Sequence, residues 1–261
     1  MAHRAHRHAG RPRLRLTSQA AEAAPATINR ELATLSKGLR VAHQNKKLAG
    51  QLPRIEKLQE DNIRRGFFER EQFEAVRKHL PAYARPVVTF MYLTGWRIRS
   101  EVLPLQWRQV DFQAGTVRLE PGTTKNKDGR TFYLTPELRA CLEAQRVATE
   151  ALQRQTGRII PWVFHREGTP MKSFWKAWKT ACKAAGAPGR IPHDFRRTAV
   201  RNLERAGVPR SVAMKMVGHK TEAIYRRYAI VSDADLQEAA KKLAAAGASG
   251  DNLVTVVPAR P

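Results

Sequence analysis

The sequence predicts a mainly α-helical protein with one small antiparallel sheet, an α+β fold. Three observations carry this. Apolar residues recur at helical spacing along most of the chain; period-two alternation is confined to three short segments between residues 107 and 134; and 42% hydrophobic residues in a chain of 261 suffice for an ordinary core. That core excludes disorder throughout. No apolar run approaches the roughly 18 residues of a membrane span, and no apolar stretch of a secretory signal follows Met1, so a cytoplasmic protein is expected.

Taken in order, residues 1–24 carry Arg4, Arg7, Arg11, Arg13 and Arg15 with no acid before Glu22, and read as a basic arm, unfolded in isolation. Pro25-Ala26-Thr27 opens a helix whose Ile28, Leu32, Leu35, Leu39 and Val41 recur at helical spacing to about Ala49, with a short segment from Leu52 to Leu58 behind it. Residues 25–65 therefore form a small helical region that ends in a polar linker, and 66–261 form the larger domain. That domain opens with an amphipathic helix from Glu69 to Leu80 and a more buried one from Pro81 to Leu93, with a turn at Gly95 and a continuation from Ser100 to Leu105. Trp107–Phe112, Thr116–Leu119 and Arg130–Leu134 alternate as three antiparallel strands. Helices follow at Pro136–Gln153, Ser173–Ala185, His193–Ala206, Pro209–Val217 and Glu222–Tyr228, and the loop Gly186–Pro192 delivers His193 to a helix start. From Ser232 a last helix begins, with Asp235 completing an approximate capping box; its stripe of Leu236, Ala239, Ala240 and Leu243 is expected to bury against its own domain, with a neighbouring subunit as the alternative. Trp162, Trp175 and Trp178 fall at apolar positions and read as core. Cys141 and Cys182 read as buried thiols.

Charge narrows the function. Against 23 Asp and Glu stand 47 Lys and Arg, a formal net charge of +24, far more than solubility requires. A polyanionic partner follows, nucleic acid first among candidates. No Asp, Glu, His or Cys cluster has metal-ligand spacing, so neither a metal nor another cofactor is expected.

The most informative stretch is His193-Asp-Phe-Arg196-Arg-Thr198, followed by Gly218-His219 and then Tyr228. Three residues apart on a helix, His193 and Arg196 share a face and can grip one phosphate. Upstream lie Thr94-Gly95-Trp96-Arg97 and the lysine-bearing turn Thr124-Lys125-Asn126-Lys127-Asp128-Gly129-Arg130. In this order, Arg, Lys, His-x-x-Arg, Gly-His, Tyr, the chain resembles the tyrosine recombinases of the phage integrase family, over roughly residues 70–245.

The resemblance implies a catalytic set of Arg97, Lys125, His193, Arg196, His219 and the nucleophile Tyr228, with Arg99, Lys127, Arg130 and Arg197 on DNA. It further implies a homo-oligomer, a tetramer on DNA, and a helical core-binding domain of which residues 25–65 would be the last part. One spacing departs from the family: the acid usually lies three residues after the first arginine, whereas Glu101 lies four after Arg97. Arg97 is favoured over Arg99 because it follows Thr94-Gly95 at the family's distance. Tyr225 is the competing nucleophile, set aside because Tyr228 stands nine residues after His219.

The chemistry suits these residue types. A phenol is a weak nucleophile at neutral pH, so nearby cations must stabilise charge that develops only in the transition state. Guanidinium forks at Arg97 and Arg196 can do so, His193 can take the tyrosine proton or bind phosphate, His219 can hold a non-bridging oxygen, and Lys125 can protonate the leaving 5′ oxygen. The implied activity is DNA cleavage and rejoining through a 3′-phosphotyrosine. A DNA-binding remnant without strand exchange and a type IB topoisomerase-like nicking-closing activity are the alternatives.

Overall fold

The structure, a computed structural model, describes residues 23–60, 66–122, 129–229 and 233–250. The chain divides into two compact units at Arg64/Arg65. Residues 1–22 of the basic arm, the turn carrying Lys125 and Lys127, and Ser232 lie outside the described residues.

In the first unit, α1 (Pro25–Gln44) starts with proline at its first turn, where no intrahelical N–H is lost. Ile28 and Leu32 are buried, but Leu35 and Val41, expected on the same stripe, are exposed. The segment from Leu52 to Leu58 is irregular and runs back along the helix. Asn29 pins it there: its amide donates to the Leu58 carbonyl at 2.8 Å and to Glu60 Oε1 at 2.6 Å, and its Oδ1 accepts from the Leu58 N–H at 2.8 Å.

The second unit is built around α3 (Arg85–Thr94), nearly all of which is buried. Against it pack α4 (Pro136–Thr156) and α6 (Asp194–Arg205), while α2 (Arg70–Lys78) lies on α5 (Trp175–Ala184). Aromatic rings fill the interior. Phe73 stacks on Tyr92 at 3.9 Å, and Phe195 meets Phe68, Phe73, Tyr92 and Trp178. Truncating Phe195 to alanine would cost about 3–5 kcal/mol. This matters for function because Phe195 sits inside the His193–Arg196 motif: with Phe195 and Ala199 fixed inward, the orientation of the other faces of α6 is set.

The sheet has order β1-β2-β3, all antiparallel, with β1 (Val110–Asp111), β2 (Thr116–Leu119) and β3 (Arg130–Tyr133). Arg130 pairs with Leu119 and Phe132 with Val117. The first expected strand is mostly a 3₁₀ turn, Trp107–Gln109, closed by a capping box between Gln106 and Gln109. A further two-stranded hairpin, β4 (His165–Arg166) and β5 (Thr169–Pro170), was not expected; Glu167 and Gly168 turn it with positive φ.

Two short helices, α7 (Arg210–Val217) and α8 (Glu222–Arg226), and one long one, α9 (Asp233–Gly250), complete the unit. Two expectations about burial are corrected. Leu236 and Leu243 of α9 are 60% and 76% exposed and Ala239 and Ala240 are exposed too, so the stripe is not covered by its own domain. Trp178 is buried as expected and Trp162 half-buried, but Trp175 is 44% exposed, because it begins α5 on the outer face whose inner face is held by Trp178, Ala181 and Cys182. Cys182 is buried and Cys141 half-buried, and burial pushes both thiols up to about 11.

Candidate active site

Two helix C-termini build the site. Gly95 ends α3 and Gly218 ends α7, each in the left-handed conformation that glycine adopts without strain, at φ 63° and 71°. Close approach requires glycine as well: a Cβ on Gly95 would lie 2.7 Å from Ala199 Cβ, and one on Gly218 would lie 2.5 Å from Arg130 Nη2. The carbonyls at these ends then accept from arginines, which suits the negative pole of a helix. Arg196 donates through Nη1 to Gly95 O at 2.7 Å, and through Nη2 to Gly218 O at 3.4 Å. Arg97 donates to the same Gly218 oxygen at 3.4 Å. One carbonyl thereby holds two guanidiniums side by side.

The extra residue after Arg97 is absorbed by a π-helical turn, Ile98–Val102. The Val102 N–H donates to Arg97 O at 3.1 Å and the Leu103 N–H to Ile98 O at 2.8 Å, both spanning five residues. Such a turn holds one more residue than an α-helical one. It leaves Glu101, 0% exposed, folded back on Arg97: Oε2 accepts from the Arg97 backbone N–H at 2.8 Å and Oε1 from Arg97 Nη1 at 2.7 Å. Arg99 is exposed and lines a cavity of about 210 Å³ with Lys172, Trp175 and His193.

Arg130 enters from β3. Its side chain, 6% exposed, donates to Glu101 Oε1 at 2.9 Å and to Val217 O at 2.9 Å, and lies over the Trp96 ring. It was expected on DNA; its guanidinium is instead turned inward as a second partner of Glu101. Strand alternation held the signal, since Arg130 shares a face with buried Phe132. Burial alone would raise the Glu101 carboxyl, but Arg130 and Arg97 outweigh it and hold the group below its ordinary range.

His193 immediately precedes α6, and its Nε2 lies 3.1 Å from the Tyr228 hydroxyl. Desolvation, together with Arg196 and Arg197, pushes His193 below its ordinary value, so the imidazole is neutral at neutral pH. His219 is buried, stacks on the Tyr228 ring at 4.7 Å, and accepts from Arg196 Nε through its own Nε2 at 2.9 Å. Burial and the surrounding arginines push it down to about 3. The ring is therefore neutral with its proton on Nδ1, an N–H with no hydrogen-bond partner among the described residues. Arg196 and Arg197 approach the Tyr228 ring at 5.7 and 5.8 Å.

Tyr228 lies just beyond α8, with its N–H on Tyr225 O at 2.8 Å. Tyr225 is wholly buried with Val200, Ala213 and Val217, its ring 5.7 Å from that of His219 in an edge-to-face contact. Thus Arg97, Arg196, His193, His219 and Tyr228 converge, whereas Lys125 and Lys127 fall outside the described residues. Around the cleft the guanidiniums of Arg97, Arg130, Arg196 and Arg197 outnumber the carboxylates of Glu101 and Asp194. The excess positive charge in a partly buried cleft favours a phosphate diester. Among the described residues no group of His, Cys, Asp and Glu is arranged to hold a metal ion, and no helix is long and apolar enough to cross a membrane.

Comparison with known proteins bears on the fold and the family. The integrase of Salmonella phage P22 is 28% identical over 235 residues, covering 85% of this chain; the chain spans 58% of that relative's length. Among solved structures, the Tn1549 transposon integrase in complex with a circular-intermediate DNA superposes with a TM-score of 0.65 at 16% identity, covering 87% of this chain and 82% of that one. XerA recombinase superposes with a TM-score of 0.56 at 15% identity, over 82% and 75% of the two chains. These likenesses establish the fold. Residues 59–235 match the phage integrase family, and the chain belongs to it.

Proposed function

We propose that the chain is a site-specific DNA recombinase that cuts and rejoins strands through a covalent tyrosine. The observation that carries this reading is the Tyr228 hydroxyl 3.1 Å from the neutral His193 imidazole, beside Arg97 and Arg196. In the first step the Tyr228 oxygen attacks a backbone phosphorus and its proton passes to His193 Nε2. The P–O bond to the 5′ oxygen breaks as the O–P bond to tyrosine forms. Arg97 and Arg196 bind the two non-bridging oxygens, and the His219 Nδ1–H can add a third donor. The 5′ oxygen leaves as a hydroxyl after taking a proton, a role the family resemblance implies for Lys125. The product is a 3′-phosphotyrosine that keeps the energy of the diester, so a 5′ hydroxyl can reverse the step without ATP.

Double-stranded DNA is the substrate we assign, in keeping with the net charge of +24 and with the DNA present in the Tn1549 complex. Residues 66–261 would form the catalytic domain and 25–65 a DNA-holding region. The exposed apolar stripe of α9 favours a homo-oligomer, a tetramer, on DNA.

A labelled, nicked suicide duplex resolved on a denaturing gel tests the chemistry. Wild type should form a covalent adduct, Tyr225→Phe should still form it, and Tyr228→Phe should not, with DNA affinity nearly unchanged. An adduct persisting in Tyr228→Phe overturns the assignment. Supercoil relaxation by a monomer without pairing of two sites would instead favour the topoisomerase-like alternative.

A further inference from the structure

The arginines of α6 do not stop at the phosphate site. Arg197, Arg201 and Arg205 are spaced four apart, which aligns them in one stripe about 12 Å long at 1.5 Å rise per residue. Arg197 lies at the Tyr228 end, 5.8 Å from the tyrosine ring. The other two meet acids from distant parts of the chain. Asp235 on α9 accepts from Arg205 Nε at 2.7 Å through Oδ1 and from Arg201 Nε at 3.4 Å through Oδ2. Glu69, which precedes α2, accepts from Arg201 Nη1 at 2.7 Å through Oε1 and from Arg205 Nη1 at 3.0 Å through Oε2.

Each carboxylate thus bridges both guanidiniums, a charge-balanced square of two acids and two bases. Arg201 is buried and lies 3.7 Å over the Phe67 ring, so its pairs are far less screened than those at a surface. The square is placed where it can matter. Asp235 is only seven residues beyond Tyr228, and the two are held against opposite ends of the same arginine stripe.

Resting on the reading of Tyr228 as nucleophile, we propose that the Glu69–Arg201–Arg205–Asp235 square is a positioning device for that tyrosine: it anchors the start of α9, seven residues beyond Tyr228, so that the hydroxyl stays on His193 and the phosphate. Asp235 is the member that acts on the nucleophile's own segment, and Glu69 holds the two arginines in the orientation that receives it. None of the four touches the reacting atoms. A nucleophile displaced by about 1 Å can lose as much as 10²-fold in rate, so a tether of this kind has leverage without being part of the chemistry.

The test uses the full chain and the suicide duplex, with cleavage followed in single turnover, DNA affinity measured separately, and thermal melting recorded for every variant. Asp235→Asn should slow cleavage by about tenfold or more. Religation of the trapped adduct by a 5′-hydroxyl oligonucleotide should slow in parallel, because the same tyrosine oxygen must be presented for the reverse step. Removing a negative charge can only maintain or tighten binding to DNA, so a loss of rate at equal or better affinity points to placement. Asp235→Glu should recover most of the rate. Arg205→Gln should mimic Asp235→Asn, and the double variant should be no slower than either single one, to within about twofold, because the residues act as a unit. If Asp235→Asn melts far below wild type, Arg205→Gln decides alone. Cleavage by both variants within about twofold of wild type overturns the proposal; so does a rate loss that multiplies in the double variant, or one that follows melting temperature and is not restored by Asp235→Glu. Absence of any adduct with wild type would strike the proposed function itself, and is distinguishable from all of these.

Discussion

Glu101 is the residue on which the two inner arginines depend. It is fully buried, takes hydrogen bonds from the Arg97 backbone and from both guanidiniums, and is the acid between them. Glu101→Gln should destabilise the fold by about 3–5 kcal/mol, the cost of leaving buried charges uncompensated. The carboxyl is held below its ordinary 4.5, so the stability it contributes is complete above that pH and is lost as pH falls through the depressed value. Denaturant unfolding of wild type and Glu101→Gln should therefore converge on acidification below pH 4.5, and a constant difference down to the acid limit would refute the pairing. Arg97→Ala should lose cleavage by about 10²-fold or more, the scale of a lost oxyanion donor. Arg99→Ala should lose little, since Arg99 is exposed and the guanidiniums paired with Glu101 are those of Arg97 and Arg130. The reverse ranking in single-turnover rates would move the role to Arg99. His193 supplies a pH signature: because its folded value lies below 6.5, the neutral imidazole persists as pH falls past the ordinary histidine value, and the cleavage rate should decline only on the acid side of 6.5. His193→Gln should be slower and lack that limb; an acid loss beginning above pH 7 would exclude His193 as the base. Tyr228, His193, Arg196 and His219 were legible as residues because fixed spacings carry them. The inward turn of Arg130 is carried by the two-residue alternation of its own strand, where it shares a face with Phe132, and not by the order of the motifs.

At the scale of elements, glycine at two helix ends decides whether the arginines meet. Gly218 combines φ 71° with a Cβ position that would collide with Arg130, whereas Gly207, at φ 72°, has open space there. The pair separates backbone strain from steric conflict. Gly207→Ala should cost about 1 kcal/mol, the strain of a left-handed residue with a Cβ. Gly218→Ala should cost more and also reduce cleavage, because Arg130 must leave Glu101 and the Gly218 carbonyl that positions Arg97 and Arg196 must shift. Equal melting shifts for the two variants would show that Arg130 yields freely. The long helices were visible in the sequence because three or more turns repeat the apolar period. Shorter elements were not. The hairpin of β4 and β5 has two residues per strand, too few for alternation to register, and the 3₁₀ turn Trp107–Gln109 shares its apolar residues with the strand that follows. The π-helical turn was legible only as an anomaly, one residue too many between Arg97 and Glu101, whose meaning depends on hydrogen bonds spanning five residues.

For the whole molecule, the burial of α9 illustrates a limit of periodicity: the stripe of Leu236, Ala239, Ala240 and Leu243 is real, but an apolar stripe specifies that a surface is needed without saying which. Charge is legible in a different way, because it sums over the chain regardless of fold. Residues 1–24 contribute five arginines and a single acid, Glu22, to the net +24. An arm of that composition can add phosphate contacts but offers no fixed geometry for reading bases, so its contribution should be independent of sequence. Each phosphate contact releases condensed counterion and steepens the dependence of log affinity on log salt by about 0.9. Deleting residues 1–24 should therefore weaken binding to random and specific duplexes by a similar factor and flatten the slope by several units, while the ratio between the two duplexes stays the same. Titrations of the full chain and the truncated chain at several salt concentrations measure both quantities. An unchanged slope would mean that the arm does not touch DNA, and a fall in the specific-to-random ratio would mean that it reads sequence after all.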